Sequence, residues 1–180
     1  MVTRGRKMKG VIVVGGEDRF ELLSAMTQAR RRLDNVAREL AKVIEGVPMW
    51  LYDEKGISGI LIEHSQDSLH QLTVDYLGQV YRLAFDIRRD MVRSQHSSEQ
   101  YEYYLELSTW KRTIRRIEAS TDILATTESL MWRPLPMKLY IDGDGAVYED
   151  PNGEPCWEQT DEVVRELLVK MLIVEDTSFE

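Results

Sequence analysis

Apolar residues spaced three or four apart, kept up over more than twenty residues at a time, restrict this chain most, because that interval makes one side of an α-helix apolar. The pattern occurs three times. Leu22, Met26, Ala29, Leu33, Val36, Leu40 and Val43 form the first stripe; Leu69, Leu72, Tyr76, Val80, Leu83, Ile87 and Met91 the second; Tyr103, Leu107, Trp110, Ile114, Ile117, Thr121 and Leu124 the third. Punctuation supports each helix. Asp18 with Glu21 three residues on has the form of a capping box, and Gly46 with Pro48 predicts the end of the first helix. The second stripe spans residues 67–94. Ser97 with Gln100 opens a third helix that runs to about Met131, before Pro134 and Pro136. The last two helices, joined by a short polar turn, predict an antiparallel helical hairpin over about 67–132.

Between the stripes the periodicity changes. Val11 to Val14 reads as a short buried strand, and Met49 to Tyr52 with Ile57 to Glu63 as two paired strands. Met137 to Asp142 and Ala146 to Glu149 flank Gly143-Asp-Gly145, a strong hairpin signal. Thr160 opens a last amphipathic helix carrying Val163, Val164, Leu167, Leu168 and Met171. The predicted class is α+β: a small antiparallel sheet of about five short strands with the long helical hairpin and further helices packed on it. Residues 1–9 form a basic tail, and 10–180 one domain, a size that buries a single core without staples.

One cysteine, Cys156, cannot close a disulfide within the chain, and neither a leader nor a membrane-length apolar run is legible, so a cytoplasmic setting is expected. A formal charge of −8 and a pI near 5.0 oppose binding to phosphate backbones except through a local basic patch. Two such patches exist. Lys111, Arg112, Arg115 and Arg116 occupy one face of the third predicted helix with no acid among them, and Arg30, Arg31 and Arg32 cluster on the first. Lys111, Arg112, Arg115, Arg116, Arg30 and Arg31 are the expected partner-binding residues.

Chemistry-bearing groups are scattered. Gly15-Gly16 before a helix start, with Arg19 close by, offers a phosphate cradle, but Glu17 and Asp18 bring negative charge to it and the spaced-glycine fingerprint is missing. Asp142, Asp144, Glu149 and Asp150 crowd one hairpin, yet an EF-hand would need oxygen ligands where Ala146 and Gly153 stand. His64, Asp67 and His70 approach a metal-like grouping without zinc spacing, and Cys156 lacks a base in the sequence around it. No catalytic residue, metal or cofactor is expected.

The reading is a non-catalytic interaction, assembly or adaptor protein, of a kind suited to a prokaryotic or phage accessory or inhibitor protein. It acts through its long helices. Leu22, Met26, Leu33 and Leu40 with Tyr103, Leu107, Trp110 and Ile114 form the expected interface to another protein or to a second copy in a homodimer. A nucleotide binder or small enzyme using Gly15, Gly16 and Arg19 is the alternative, and a nucleic-acid binder using Lys111 to Arg116 ranks behind it.

Overall fold

A computed structural model describes residues 11–13, 19–65, 70–93, 99–118, 126–148 and 159–173, with side chains described at 19–65, 70–89, 103–114, 129–148 and 159–173. The chain order is β1 (Val11–Val13), α1 (Arg19–Lys55), β2 (Ile60–His64), β3 (Gln71–Tyr76), β4 (Gln79–Arg93), β5 (Glu99–Glu118), β6 (Thr126–Ile141), β7 (Val147–Tyr148) and α2 (Thr160–Ile173). All strands pair antiparallel. The sheet runs β2-β3-β4-β5-β6-β7, and β1 lies against β5 through Val11 opposite Glu102 and Val13 opposite Gln100.

The predicted fold is overturned: in place of about five short strands with a long helical hairpin and further packed helices, the described residues form an antiparallel sheet with strands of up to 20 residues and two helices, and within 67–132 they are β3, β4, β5 and the first part of β6, with neither a helical hairpin nor coiled-coil character. Strand geometry explains why the stripes misled. A four-residue step returns to the same face of a strand and a three-residue step crosses to the other, so a four-three stripe is split between both faces once the chain is extended. Tyr103 and Leu107 are buried on one face, whereas Trp110 is half-buried and Ile114 exposed on the other. The true signal is the period of two in Leu72-Val74, Tyr81-Leu83-Phe85 and Tyr103-Leu105-Leu107, all buried.

Strand length follows from composition and turns. β5 is 20 residues long and rich in Tyr, Thr, Ile and Leu, which suit a pleated surface. β3 and β4 are joined by Leu77-Gly78, whose φ angles of 52° and 77° give a two-residue turn matched to the twist of a hairpin. In β6, Pro134 and Pro136 stand at a bulge where the register with β5 shifts between Ser108 and Trp110, so the prolines withhold no needed ladder hydrogen bond. The expected Gly143 hairpin is present, with Tyr140 opposite Tyr148 and Ile141 opposite Val147.

Both helices pack on one sheet face. The first is 37 residues long, about 55 Å at 1.5 Å per residue, and passes through Gly46 and Pro48 instead of stopping there. Pro48 removes one helix donor, at a typical cost of about 3 kcal/mol, but Ile44, Val47 and Leu51 around it are buried and hold the helix on the sheet. Met49 to Tyr52 is therefore helical, not a strand. The helix ends at Lys55, where Gly56, with φ of 65°, donates its N–H to the Tyr52 carbonyl at 3.0 Å. Val164, Leu168 and Met171 of α2 complete the core, Arg165 lies over the Trp50 ring of α1, and the Thr160 hydroxyl donates to the Gly145 carbonyl. Among the described residues no helix is long and apolar enough to cross a membrane.

Candidate functional site

No described helix packs on the other sheet face, whose polar and aromatic side chains form ordered rows. Glu106 lies at its centre, only 9% exposed, and accepts hydrogen bonds from Ser108 Oγ at 3.0 Å, Lys138 Nζ at 3.4 Å and Arg88 at 3.5 Å. Burial pushes its pKa up, but the Ser108 hydroxyl and the charges of Lys138 and Arg88 outweigh that and hold the carboxyl below its ordinary value. Along the next row the Arg82 guanidinium is stacked between Trp110 and Trp132, with ring centroids at 4.9 and 4.7 Å. Burial lowers the Arg82 pKa from its ordinary value, with Asp86 opposing. Tyr104 meets Tyr140 edge-on at 5.8 Å.

The long strands overrun their neighbours, and a cleft opens at each overrun. β3 covers β4 only as far as Ala84, and beyond it Phe85 donates its N–H to the His70 carbonyl at 2.9 Å. There a cleft of about 400 Å³ is lined by Arg30, Arg31, Asp34, His70, Phe85, Asp86 and Ile87. At the opposite end, β4 covers β5 only as far as Lys111, which faces Tyr81, while β5 and β6 continue together to Glu118 and Thr126. A second cleft of about 320 Å³ lies at the root of this two-stranded ribbon, between the Gly78-Gln79-Val80 corner and Arg112, Ile114 and Leu130. Ile114 and Leu130 face one another across the ribbon and are 60% and 64% exposed.

The two predicted basic clusters thus reach the two clefts, although on elements other than two helices. Arg30, Arg31 and Arg112 are exposed at the cleft walls. Lys111, by contrast, is 6% exposed, with its ammonium 5.8 Å from the Tyr81 ring centre, and belongs to the packed face. Arg115 and Arg116 stand in β5 opposite Ser129 and Glu128, and their side chains lie outside the described set. The expected helix interface dissolves. Leu33 and Leu40 are core residues of α1, Leu22 and Met26 are half-buried near its start, and Tyr103, Leu107, Trp110 and Ile114 are strand residues divided between the two faces. Arg19 is exposed at the first position of α1, while Gly15, Gly16, Asp67, His96, Glu149, Asp150 and Cys156 lie outside the described residues.

Histidines and the acidic hairpin have structural partners. His64 pairs with Glu45, and His70 Nε2 with Asp34 Oδ1 at 2.7 Å, so both tie the β2–β3 end of the sheet to α1. Asp34 also meets Arg38 at 3.0 Å. Asp142, 1% exposed, accepts the N–H groups of Asp144 and Ala146 at 2.9 and 3.0 Å through Oδ1 and the Tyr148 hydroxyl at 3.2 Å through Oδ2, the work of a turn. Among the described residues no group of three or more His, Cys, Asp or Glu side chains could hold a metal.

The sequence reading missed Glu106, Arg82 and Trp132. Their signal was available in the alternation Glu106-Ser108-Trp110, which reads as one sheet face only after the strand assignment is made. No family model, curated protein or solved structure matches the chain.

Proposed function

We propose that the chain is a non-catalytic protein-binding module that meets its partner through the β5–β6 ribbon and the cleft at its root. The observation that carries this reading is the exposed cross-strand pair of Ile114 and Leu130 beside Arg112. Two large apolar side chains facing each other in water, on a ribbon whose edge beyond β4 no described strand covers, are a liability that natural sheets avoid unless the surface has an occupant. Met131, 43% exposed, widens the apolar area. A positive rim around an apolar centre is the ordinary anatomy of an interface that selects an acidic protein.

A nucleic-acid reading has less support. The opposite sheet face does interleave Trp and Tyr with Arg and Lys, but Arg82 occupies a face of each tryptophan and Tyr104 is buried, so these rings are poorly placed to stack on bases. Enzymatic use of the His70 cleft has less support: His70 and Asp34 pair with each other, and the described lining holds no hydroxyl or thiol.

The test is a photo-crosslinking amino acid placed at Ile114 and, separately, at exposed Glu39 on α1, in the cells that make the protein. A protein adduct of discrete mass at 114 and none at 39 is expected. Equal labelling at both positions, or none at 114, would overturn the reading.

A further inference from the structure

We infer that two copies of the chain pair through the outer edge of β2 about a two-fold axis at Ile62, joining their sheets into one and bringing together the sides of α1 that carry Met49 and Tyr52. This surface is separate from the ribbon and its cleft, so neither depends on the other.

Backbone direction makes the edge available. In an antiparallel ladder the N–H and C=O of one residue point to the same side, and those of the next to the other. Ser65 donates its N–H to the Gln71 carbonyl at 2.8 Å, so Leu61 and Glu63 point to β3, while Ile60, Ile62 and His64 point outward. β2 ends the sheet order, and no described strand lies beyond it. The usual devices that protect an edge are missing there. All five residues pair with β3 without a bulge, and Ile60 to His64 includes no proline, lysine or arginine. At the other end of the sheet β7 is only two residues long, and the ribbon edge carries arginines.

The core is left open along the same edge. Leu72 and Val74 of β3 are fully buried, whereas Ile60 and Ile62 of β2, which pack against the same core, are only half-buried. Above them Glu45, Met49 and Tyr52 recur at four- and three-residue steps and so share one side of α1. Glu45 pairs with His64, which sets this side along β2, while Trp50 on the opposite side meets Arg165 of α2. Met49 and Tyr52 are 67% and 61% exposed. The uncovered surface thus has two tiers, a row of peptide groups below and an apolar helix side above.

A second copy supplies both tiers, whereas a lone peptide strand fills only the lower. Pairing about Ile62 sets Ile62 opposite itself, Ile60 opposite His64 and Leu61 opposite Glu63. Outward-facing residues therefore meet outward-facing ones, no like charges are directly opposed, and one patch serves both copies, as a two-fold interface requires. Met49, between Glu45 and Tyr52 on its stripe, comes nearest the axis. Five strand residues and a short helix side per copy fall well below the roughly 20–30 residues of a standard interface, so the dimer is weak, with a Kd of about 10–100 µM.

The experiment is sedimentation velocity on the full chain from about 1 to 300 µM, with amide exchange followed residue by residue at both ends of that range. A monomer–dimer equilibrium is expected. In the dimer, exchange at Ile60, Ile62 and His64 slows about tenfold or more, while Leu61 and Glu63, already bonded to β3, keep one rate. Met49→Lys, at an exposed helix position, should weaken association at least about tenfold and leave the denaturation midpoint unchanged. Ile62→Pro, which removes an N–H that β3 does not use, should abolish association. A monomer throughout the range, association without alternating protection in β2, or a Met49→Lys chain that associates as tightly as the parent would overturn the inference.

Discussion

Glu106 shows how a carboxylate is kept charged inside a sheet face. Its neighbours are arranged in rows rather than in sequence: Ser108 from the same strand, Arg88 from β4 and Lys138 from β6 converge on it at 3.0 to 3.5 Å. Because the folded pKa is lowered, the carboxylate stabilises the fold above its unfolded pKa of about 4.3, and that contribution is lost as pH falls through the lower folded value. Replacing it tests this. Glu106→Gln should lower stability at neutral pH by about 1–2 kcal/mol, a range that discounts the half-exposed Arg88 and Lys138. The difference from the parent should shrink in denaturant titrations at pH 3. A gap that stays constant with pH would mean that the charge contributes nothing.

At the level of elements, what the sequence disclosed depended on whether local signals agreed with tertiary packing. Helix α2 and the Gly143 hairpin were legible because cap, period and turn chemistry coincide there. The buried side of α1 was legible too, but its end was not: Gly46 and Pro48 carry genuine stop signals, and only burial of Ile44, Val47 and Leu51 against the sheet overrides them. The central strands were misread since Tyr76, Val80, Leu83 and Ile87 satisfy a helical interval by coincidence while Val74, Tyr81 and Phe85, which break it, are buried alongside Leu83. Leu77, which has a positive φ in the turn between β3 and β4, gave no turn signal at all. Strand and helix readings make opposite predictions at two positions. Leu107→Ala should cost about 2–5 kcal/mol because it empties the core, and Ile114→Ala should stay within about 0.5 kcal/mol because it is exposed. Equal losses at both, measured by urea midpoint, would return the four-three stripe to a helix.

For the molecule as a whole, the arginines on the ribbon have a second role besides attraction. An exposed strand edge invites pairing with another copy, and charge on that edge is a common way of refusing it. Arg112→Thr should therefore increase self-association seen by light scattering behind size exclusion, and high salt should move the parent in the same direction by screening. A variant whose mass distribution matches the parent at every concentration and salt would show that the charge restrains nothing.

β5 is the hub of the sheet, partner at once to β1, β4 and β6, and it stands far downstream of α1 in the chain. On a ribosome adding roughly 5–20 residues per second, α1 emerges several seconds before β5 is complete. Its side carrying Leu33, Leu40, Ile44 and Val47, wholly buried at the end, has no sheet to lie on during that interval. The nascent chain is thus most vulnerable to capture or aggregation midway through its own synthesis, and its yield is set by whatever shelters that helix until the strands arrive.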